Sequence, residues 1–275
     1  MACILIYIVA DTSWEKKMEQ GIYIALSGAK LQELRLEIVS NNLSNASTSG
    51  YKENKIATRS FNFDLEDAFN DIYDAKQDVF SRFEEPENYN EIYSKTFQVG
   101  IDFSQGYLNY TGSPLNIALE GPGFFAIETP QGIRYTRQGD YHLTSDGNLV
   151  TSEGYPVRGK GLEGLGEGEI FIDSQGTVLV DGNKKGSIDI VEFENPHMLK
   201  KEGHNMFVPA TERAAEKKPD TTTVKQGFLE MPNMNVVENM VRLIELNRLY
   251  ESYQKTILAI DESTKKITNE LGTPD

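Results

Sequence analysis

The chain has 275 residues, 39% apolar and 25% charged, with 42 acidic against 27 basic residues and a net charge of −15. That length allows one large domain or two ordinary ones, and the apolar share supports a core of useful size rather than a wholly disordered chain. The acid excess is repelled by phosphate backbones and anionic lipid, which argues against nucleic acid or a membrane surface as partners. A single cysteine, Cys3, excludes an internal disulfide framework and a four-thiolate zinc site.

Taken from the N-terminus, the apolar run Ala2 to Ala10 is far short of the roughly 20 residues of a membrane-spanning helix. It also lacks the basic start of a signal peptide. Residues 1–17 are therefore read as an extension outside the fold, with Met18 as the working start and a cleaved leader as the alternative. From Gly21 to Ser47 no proline interrupts a helical pattern. Ile22, Leu26, Ala29, Leu36, Val39 and Leu43 fall on one side with Ala25 beside them, while Ile24, Leu31, Leu34 and Ile38 gather opposite. Two apolar stripes on one helix suggest burial on both flanks, as in a bundle built from several chains. Asn41, Asn42 and Asn45 stand near its end, placed for capping or for a contact between subunits.

Residues 61–91 carry ten acidic residues against Lys76 and Arg82, together with seven Phe or Tyr. Leu65, Phe69, Ile72, Tyr73, Phe80 and Phe83 sit at helical spacing, so this stretch reads as a partly helical, acidic and aromatic connector. Residues 100–224 then carry strand and turn signals. Short apolar runs at 117–119, 123–127, 134–137, 149–150, 168–172, 176–180 and 187–191 are punctuated by Asp146-Gly147 and Asp181-Gly182, strong hairpin signals. Asn235 followed by Glu238 resembles a capping box and predicts a helix from there to about Leu271, before Gly272 and Pro274. Val236, Met240, Leu243, Tyr250, Ile257, Ile260, Ile267 and Leu271 form one stripe of it. Val237, Val241, Ile244, Leu246, Leu249 and Tyr253 lie on other faces, and Asn247 and Gln254 interrupt the stripe as register-fixing polar residues do in coiled coils.

The expected architecture is α+β. Long terminal helices pack as a coiled-coil layer, with a central antiparallel β-rich domain. The expected division is 1–17 extension, 18–60 N-terminal helix and loop, 61–99 connector, 100–224 β domain and 225–275 C-terminal helical region. Chemistry-bearing motifs are weak. Gly154-Tyr155-Pro156-Val157-Arg158-Gly159-Lys160-Gly161 fits G-x-x-x-x-G-K but lacks the Ser or Thr that holds magnesium and is not followed by a helix-forming stretch. His142, His197 and His204 are scattered with no cysteine nearby. No nucleophile elbow stands out, so no catalytic, cofactor or metal residue is assigned.

The informative strings are of another kind. Asn41-Asn42-Leu43-Ser44-Asn45-Ala46-Ser47-Thr48-Ser49-Gly50-Tyr51-Lys52, extending back to Gly21-Ile22-Tyr23, closely resembles the N-terminal signature of flagellar rod, hook and hook-associated axial proteins. Thr111 to Leu119, Gly121 to Phe125, Tyr135 to Gly139 and Asp146 to Val150 are similar to the opening of that family's β domain. Gln226 to Glu230, Asn235 to Val241 and Leu243 to Glu251 resemble its C-terminal signature. Within the family the size and the Leu243-Ile244-Glu245-Leu246-Asn247-Arg248 string look most like the proximal-rod member, with the distal-rod member a near competitor. Pro232, Asn116 and Asn247 depart from the family's usual Ser, Asp and Gln, and Pro232 bears on where the last helix starts.

The resemblance implies a structural subunit of the bacterial flagellar basal-body rod that self-assembles and carries torque from motor to hook. Its implied partners are neighbouring copies, other rod and axial proteins, and the flagellar type III export apparatus; no cofactor, nucleic acid or direct membrane insertion is implied. It further implies a final place in the periplasm-spanning rod, reached without a cleaved leader. The expected assembly interface comprises Ile22, Leu26, Leu36, Val39, Asn41, Asn42, Leu43 and Asn45, with Val236, Met240, Leu243, Asn247, Tyr250 and Ile257. A distal-rod or hook-type subunit is the alternative within the family. A secreted hydrolase using two carboxylates, or an adhesin-like binding module, is the alternative outside it.

Overall fold

A computed structural model describes residue 22 and residues 25–58, 97–166, 168–210 and 216–271. The 1–17 extension, Ile24 and the 61–91 connector lie outside these residues. Helix α1 runs over 25–44, ending before Ser47 because the N–H groups of Asn45 and Ala46 turn back to the carbonyls of Asn42 and Leu43 at 3.0 and 3.1 Å. This tightening is how many helices close. Strands β1 (Asn54–Thr58) and β2 (Phe97–Ile101) then form an antiparallel ribbon with Ile56 opposite Val99. The apolar pattern does not predict this ribbon, since its strands stand far apart in the chain and Ile56 is the only large apolar residue of β1.

The β domain follows, with every pairing antiparallel. Its strands are β3 (Leu108–Tyr110), β4 (Ile117–Glu120), β5 (Phe124–Thr129), β6 (Gly132–Thr136), β7 (His142–Leu143), β8 (Leu149–Val150), β9 (Gly159–Lys160), β10 (Ile170–Ile172), β11 (Thr177–Val180), β12 (Asn183–Ile188), β13 (Ile190–Phe193), β14 (Leu199–Lys201), β15 (Met206–Pro209), β16 (Glu216–Lys217), β17 (Thr223–Gln226) and β18 (Phe228–Glu230). One sheet has the order β14-β15-β6-β5-β13-β16 and a second the order β10-β11-β12-β9. The chain returns at the end, β17 pairing with β4 and β18 with β3, so β17 runs through the expected boundary at 224.

β5 is buried on both faces. Phe125 and Ile127 enter a core shared with Ile117, Leu119, Val178 and Ile188. Phe124 and Ala126, alternating with them, enter a second cluster with Tyr135, Phe193 and Phe207. In that cluster Phe124 meets Phe103, Phe193 and Phe207 edge-on at 5.7, 5.7 and 5.8 Å, a favoured ring geometry. The Asp181-Gly182 hairpin forms between β11 and β12 with φ +51 and +77, the pair of positive angles a two-residue I′ turn requires. The Gly154–Gly161 string runs from a turn into β9, not into a helix N-terminus, and so has no phosphate cradle of the P-loop kind.

Two carboxylates organise returning segments. Glu192 Oε1 accepts the backbone N–H groups of Asp220, Thr221 and Thr222 at 3.2, 3.3 and 3.2 Å and the Thr222 hydroxyl at 2.7 Å. Burial raises its pKa, but these donors outweigh that and hold it below the usual value. For Asp102 burial again raises, while hydrogen bonds from Lys55 and Ser104 prevail and bring it to about 2. A depressed carboxylate stabilises the fold above its unfolded pKa, and that stability is lost as pH falls through the folded value. Thermal melts should therefore be level from neutral pH down to about 5 and fall below about 4. Glu192→Gln should cost about 2 kcal/mol at neutral pH, the worth of hydrogen bonds to a charged acceptor, and should flatten part of the acid limb.

Candidate assembly interface

Three stretches distant in the chain meet at one buried ion cluster. Lys52 Nζ lies 2.7 Å from Glu230 Oε1, and Arg137 Nη1 lies 3.2 Å from Glu230 Oε2, with side chains 1%, 2% and 0% exposed for Lys52, Arg137 and Glu230. Further hydrogen bonds hold the group, with Gly106 N–H donating to Glu230 Oε1 at 2.9 Å, Lys52 to Ser104 O at 2.7 Å and Arg137 Nη2 to Gly121 O at 2.5 Å, while Arg137 Nε meets no hydrogen-bond partner among the described residues. Arg137 also sits 5.0 Å over the Phe124 ring, a further favourable contact. Burial pushes the Lys52 ammonium and the Arg137 guanidinium below their ordinary pKa values, partly offset by Glu230. Pairing and hydrogen bonds of this kind offset the cost of taking such charges out of water. Each residue stands in a string that carries the family resemblance, yet none was expected as a site. Their charge suggests a solvated surface, and nothing local says that the partner is 178 residues away.

Around this cluster the loop after α1 is pinned. Gly50, at φ +65, gives its N–H to Glu230 O at 2.7 Å. Asn42 is buried: its Oδ1 accepts the Asn54 N–H at 3.0 Å and lies 2.8 Å from the Tyr51 hydroxyl, and its Nδ2 donates to Asn54 O at 3.0 Å. Asn42 thus fastens α1 to β1 inside one chain rather than capping the helix. Asn45 does serve the helix end, its Nδ2 donating to Asn41 O at 2.8 Å. Asn233 ties the approach to the last helix, accepting the Glu53 N–H at 2.9 Å and donating to Asp102 O at 2.8 Å.

Helix α2 (Val236–Leu271) begins where expected, with Pro232 buried before it. Asn235 Oδ1 accepts the Val237 and Glu238 N–H groups at 3.1 and 3.3 Å, the N-cap half of a capping box; Glu238 pairs with Arg242 instead of reaching back. α2 runs antiparallel to α1. A Cβ at Gly28 would lie 2.3 Å from the Tyr253 ring, and Leu246 and Asn239 share a cavity of about 500 Å3 with Arg35, Val39 and Asn42. The covered face of α2 comprises Val236, Asn239, Leu243, Leu246, Tyr250, Tyr253, Ile257 and Ile260, all partly or fully buried at three-four spacing. It therefore takes Asn239, Leu246 and Tyr253 and leaves out Met240, Asn247 and Gln254, which are exposed. Asn239 is the polar residue of this face, its Nδ2 on Asn235 O at 2.9 Å and Glu53 Oε1 at 3.3 Å.

On α1, Ala25, Ala29, Gln32, Val39 and Asn42 are buried, Ile22, Leu36, Leu43 and Asn45 are partly buried, and Leu26 and Asn41 are exposed. Opposite its covered face α2 shows Val237, Val241 and Ile244 to solvent, 70%, 51% and 54% exposed, with Leu258 further along. No helix among the described residues is long and apolar enough to cross a membrane, and no group of His, Cys, Asp or Glu among them could hold a metal ion.

A helix pair with one flank open and apolar, locked at its base into a β domain by buried charges, is the form of a structural building block. Three family models agree. Residues 22–52 match the flagella basal body rod protein model, residues 118–190 the flagellar hook protein FlgE/F/G D1 domain, and residues 225–270 the flagellar basal body rod FlgEFG protein C-terminal model. Over 276 residues the chain is 30% identical to the flagellar basal-body rod protein FlgG of Bacillus subtilis, covering 92% of this chain and 99% of that one. It is 31% identical over 265 residues to FlgG of Agrobacterium fabrum and 29% identical over 261 residues to FlgF of Rhizobium meliloti, with coverage of 92% and 93% of this chain and 99% of each relative. The chain belongs to the flagellar basal-body rod proteins of the FlgF and FlgG kind. It is a structural subunit of the flagellar basal body and not an enzyme, and the hydrolase alternative finds no support in these relatives.

Proposed function

We propose that the chain builds the rod through its terminal helices, which join those of neighbouring copies and other axial proteins in a coiled-coil tube with the β domain outside. In that position it carries torque from motor to hook across the periplasm. The observation that carries this reading is the open ridge Val237, Val241 and Ile244, which the chain's own helix pair leaves uncovered. Each such side chain, once buried, contributes about 1.5–3 kcal/mol. Leu26, Asn41, Met240 and Asn247, all exposed, lie ready for the same contacts. Ile22, Leu36, Val39, Leu43, Asn45, Val236, Leu243, Tyr250 and Ile257 support the helix pair behind them, with Asn42 at its base. The Leu243–Arg248 string supports a proximal place in the rod, and ends that pack fully only on assembly suit delivery through the flagellar type III apparatus.

A double variant, Val241→Asp with Ile244→Asp, tests this. Both positions face solvent in the single chain, so the purified monomer should melt within about 0.5 kcal/mol of the parent. Incorporation into basal bodies and swimming should be lost. Normal swimming of the double variant would show that the ridge joins nothing.

A further inference from the structure

Under the turn that joins β14 to β15, Lys201 holds an ammonium that meets an aromatic ring but no acceptor or counter-charge among the described residues. Its Nζ is closed to solvent and makes no hydrogen bond or ion pair among the described residues. The Tyr51 ring, 3.6 Å away, faces it, and burial lowers its pKa to about 8. The contrast with Lys52 and Arg137 is sharp, because Glu230 answers both of those buried cations. Next to Lys201 opens a cavity of about 520 Å3 walled by Asn41 of α1, Asn45 just beyond it, Asn54 of β1 and Asn205 of the turn. Glu37 stands on the same wall but forms no ion pair with Lys201 among the described residues. His204 and Asn205 in the turn hold φ +42 and +53, a conformation costly for residues with a side chain unless the surroundings fix it.

An unanswered ammonium beside carboxamides has the chemistry of a carboxylate receptor: the cation takes one oxygen and amide N–H donors take the other. The flexible stem of a lysine lets the ammonium swing into the cavity. The supply of acid is in the chain itself, whose 42 acidic against 27 basic residues leave carboxylates on the surface of every copy. The wall also includes Asn41 of α1, one of the exposed positions by which copies are proposed to join. We propose that this cavity is a socket for an aspartate or glutamate side chain of the next copy of the same chain, paired with Lys201 in the assembled rod. This inference rests on the rod reading above.

The test places a photo-crosslinking benzoylphenylalanine at Asn205 in the full chain, in motile cells, and illuminates isolated basal bodies. The expected product is an adduct between two copies, mapping to a segment that carries Asp or Glu. Lys201→Met should cut its yield about tenfold, as loss of one member of a buried interfacial charge pair does. The same change should leave the purified monomer melting at the parent's temperature or above, since it removes a charge closed to solvent with no counter-ion among the described residues, and a methionine can keep the contact with the Tyr51 ring. An adduct with a different protein, no adduct although the chain is present, an unchanged yield in Lys201→Met, or a destabilised Lys201→Met monomer would each overturn the socket. Absence of the unaltered chain from basal bodies would instead overturn the rod reading beneath it.

Discussion

Glu230→Ala is expected to cost about 3–5 kcal/mol, because it leaves Lys52 and Arg137 as uncompensated charges in a dry interior. The effect should exceed that of an ordinary buried ion pair, since both carboxylate oxygens are in use and the Gly106 N–H loses its acceptor too. Urea titration followed by far-ultraviolet circular dichroism would read the loss. Glu230→Gln should fall between parent and alanine variant, keeping the shape and part of the hydrogen bonding but no charge. The triple change Lys52→Met, Arg137→Met, Glu230→Leu should recover most of the deficit, because replacing a whole buried ionic group by apolar side chains is often neutral or better. A Glu230→Ala variant as stable as the parent would mean that the cluster is not what holds the ends to the β domain.

Gly50→Ala should cost about 3 kcal/mol or more, summing the strain of a left-handed alanine and an overpacked contact. Gly50 sits at φ +65, and a Cβ there would lie 2.3 Å from Gln138 N and 2.4 Å from the Arg137 carbonyl carbon. Both atoms are backbone, so no side chain can swing aside; either the loop lifts off β6 or the Arg137 segment shifts and disturbs the ion cluster. Gly154→Ala is the control. Its φ is +86 but nothing lies within 4 Å of the added atom, so only the backbone term of about 1 kcal/mol should appear. Equal melting shifts for the two variants would refute the close-approach argument.

Local rules account for much of what was legible. The Asp181-Gly182 turn, the Asn235 cap, the extent of α2 and the main strands of the β domain all follow from turn chemistry, capping and alternation, which act over a few residues. The β1–β2 ribbon escaped because its pairing spans a long stretch of chain and its strands have little alternation to reveal them. The covered face of α2 shares Val236, Leu243, Tyr250, Ile257 and Ile260 with the apolar stripe and differs from it at Asn239. Hydropathy prefers Met240 to Asn239 for an inward position, whereas Asn239 is held inside by Glu53 and by the Asn235 carbonyl. The same limit hid the ion cluster. Lys52, Arg137 and Glu230 each look like surface charges, and their burial depends on a meeting that only the folded topology creates.

That meeting also sets an order of events. Lys52 waits for a carboxylate that follows it by 178 residues, and Arg137 for the same group 93 residues later. A chain appearing N-terminus first therefore cannot close its central clasp until it has nearly all emerged. Because such remote contacts are slow to form, the N-terminal helix and its loop gain their tie to the β domain only as one of the last steps of folding.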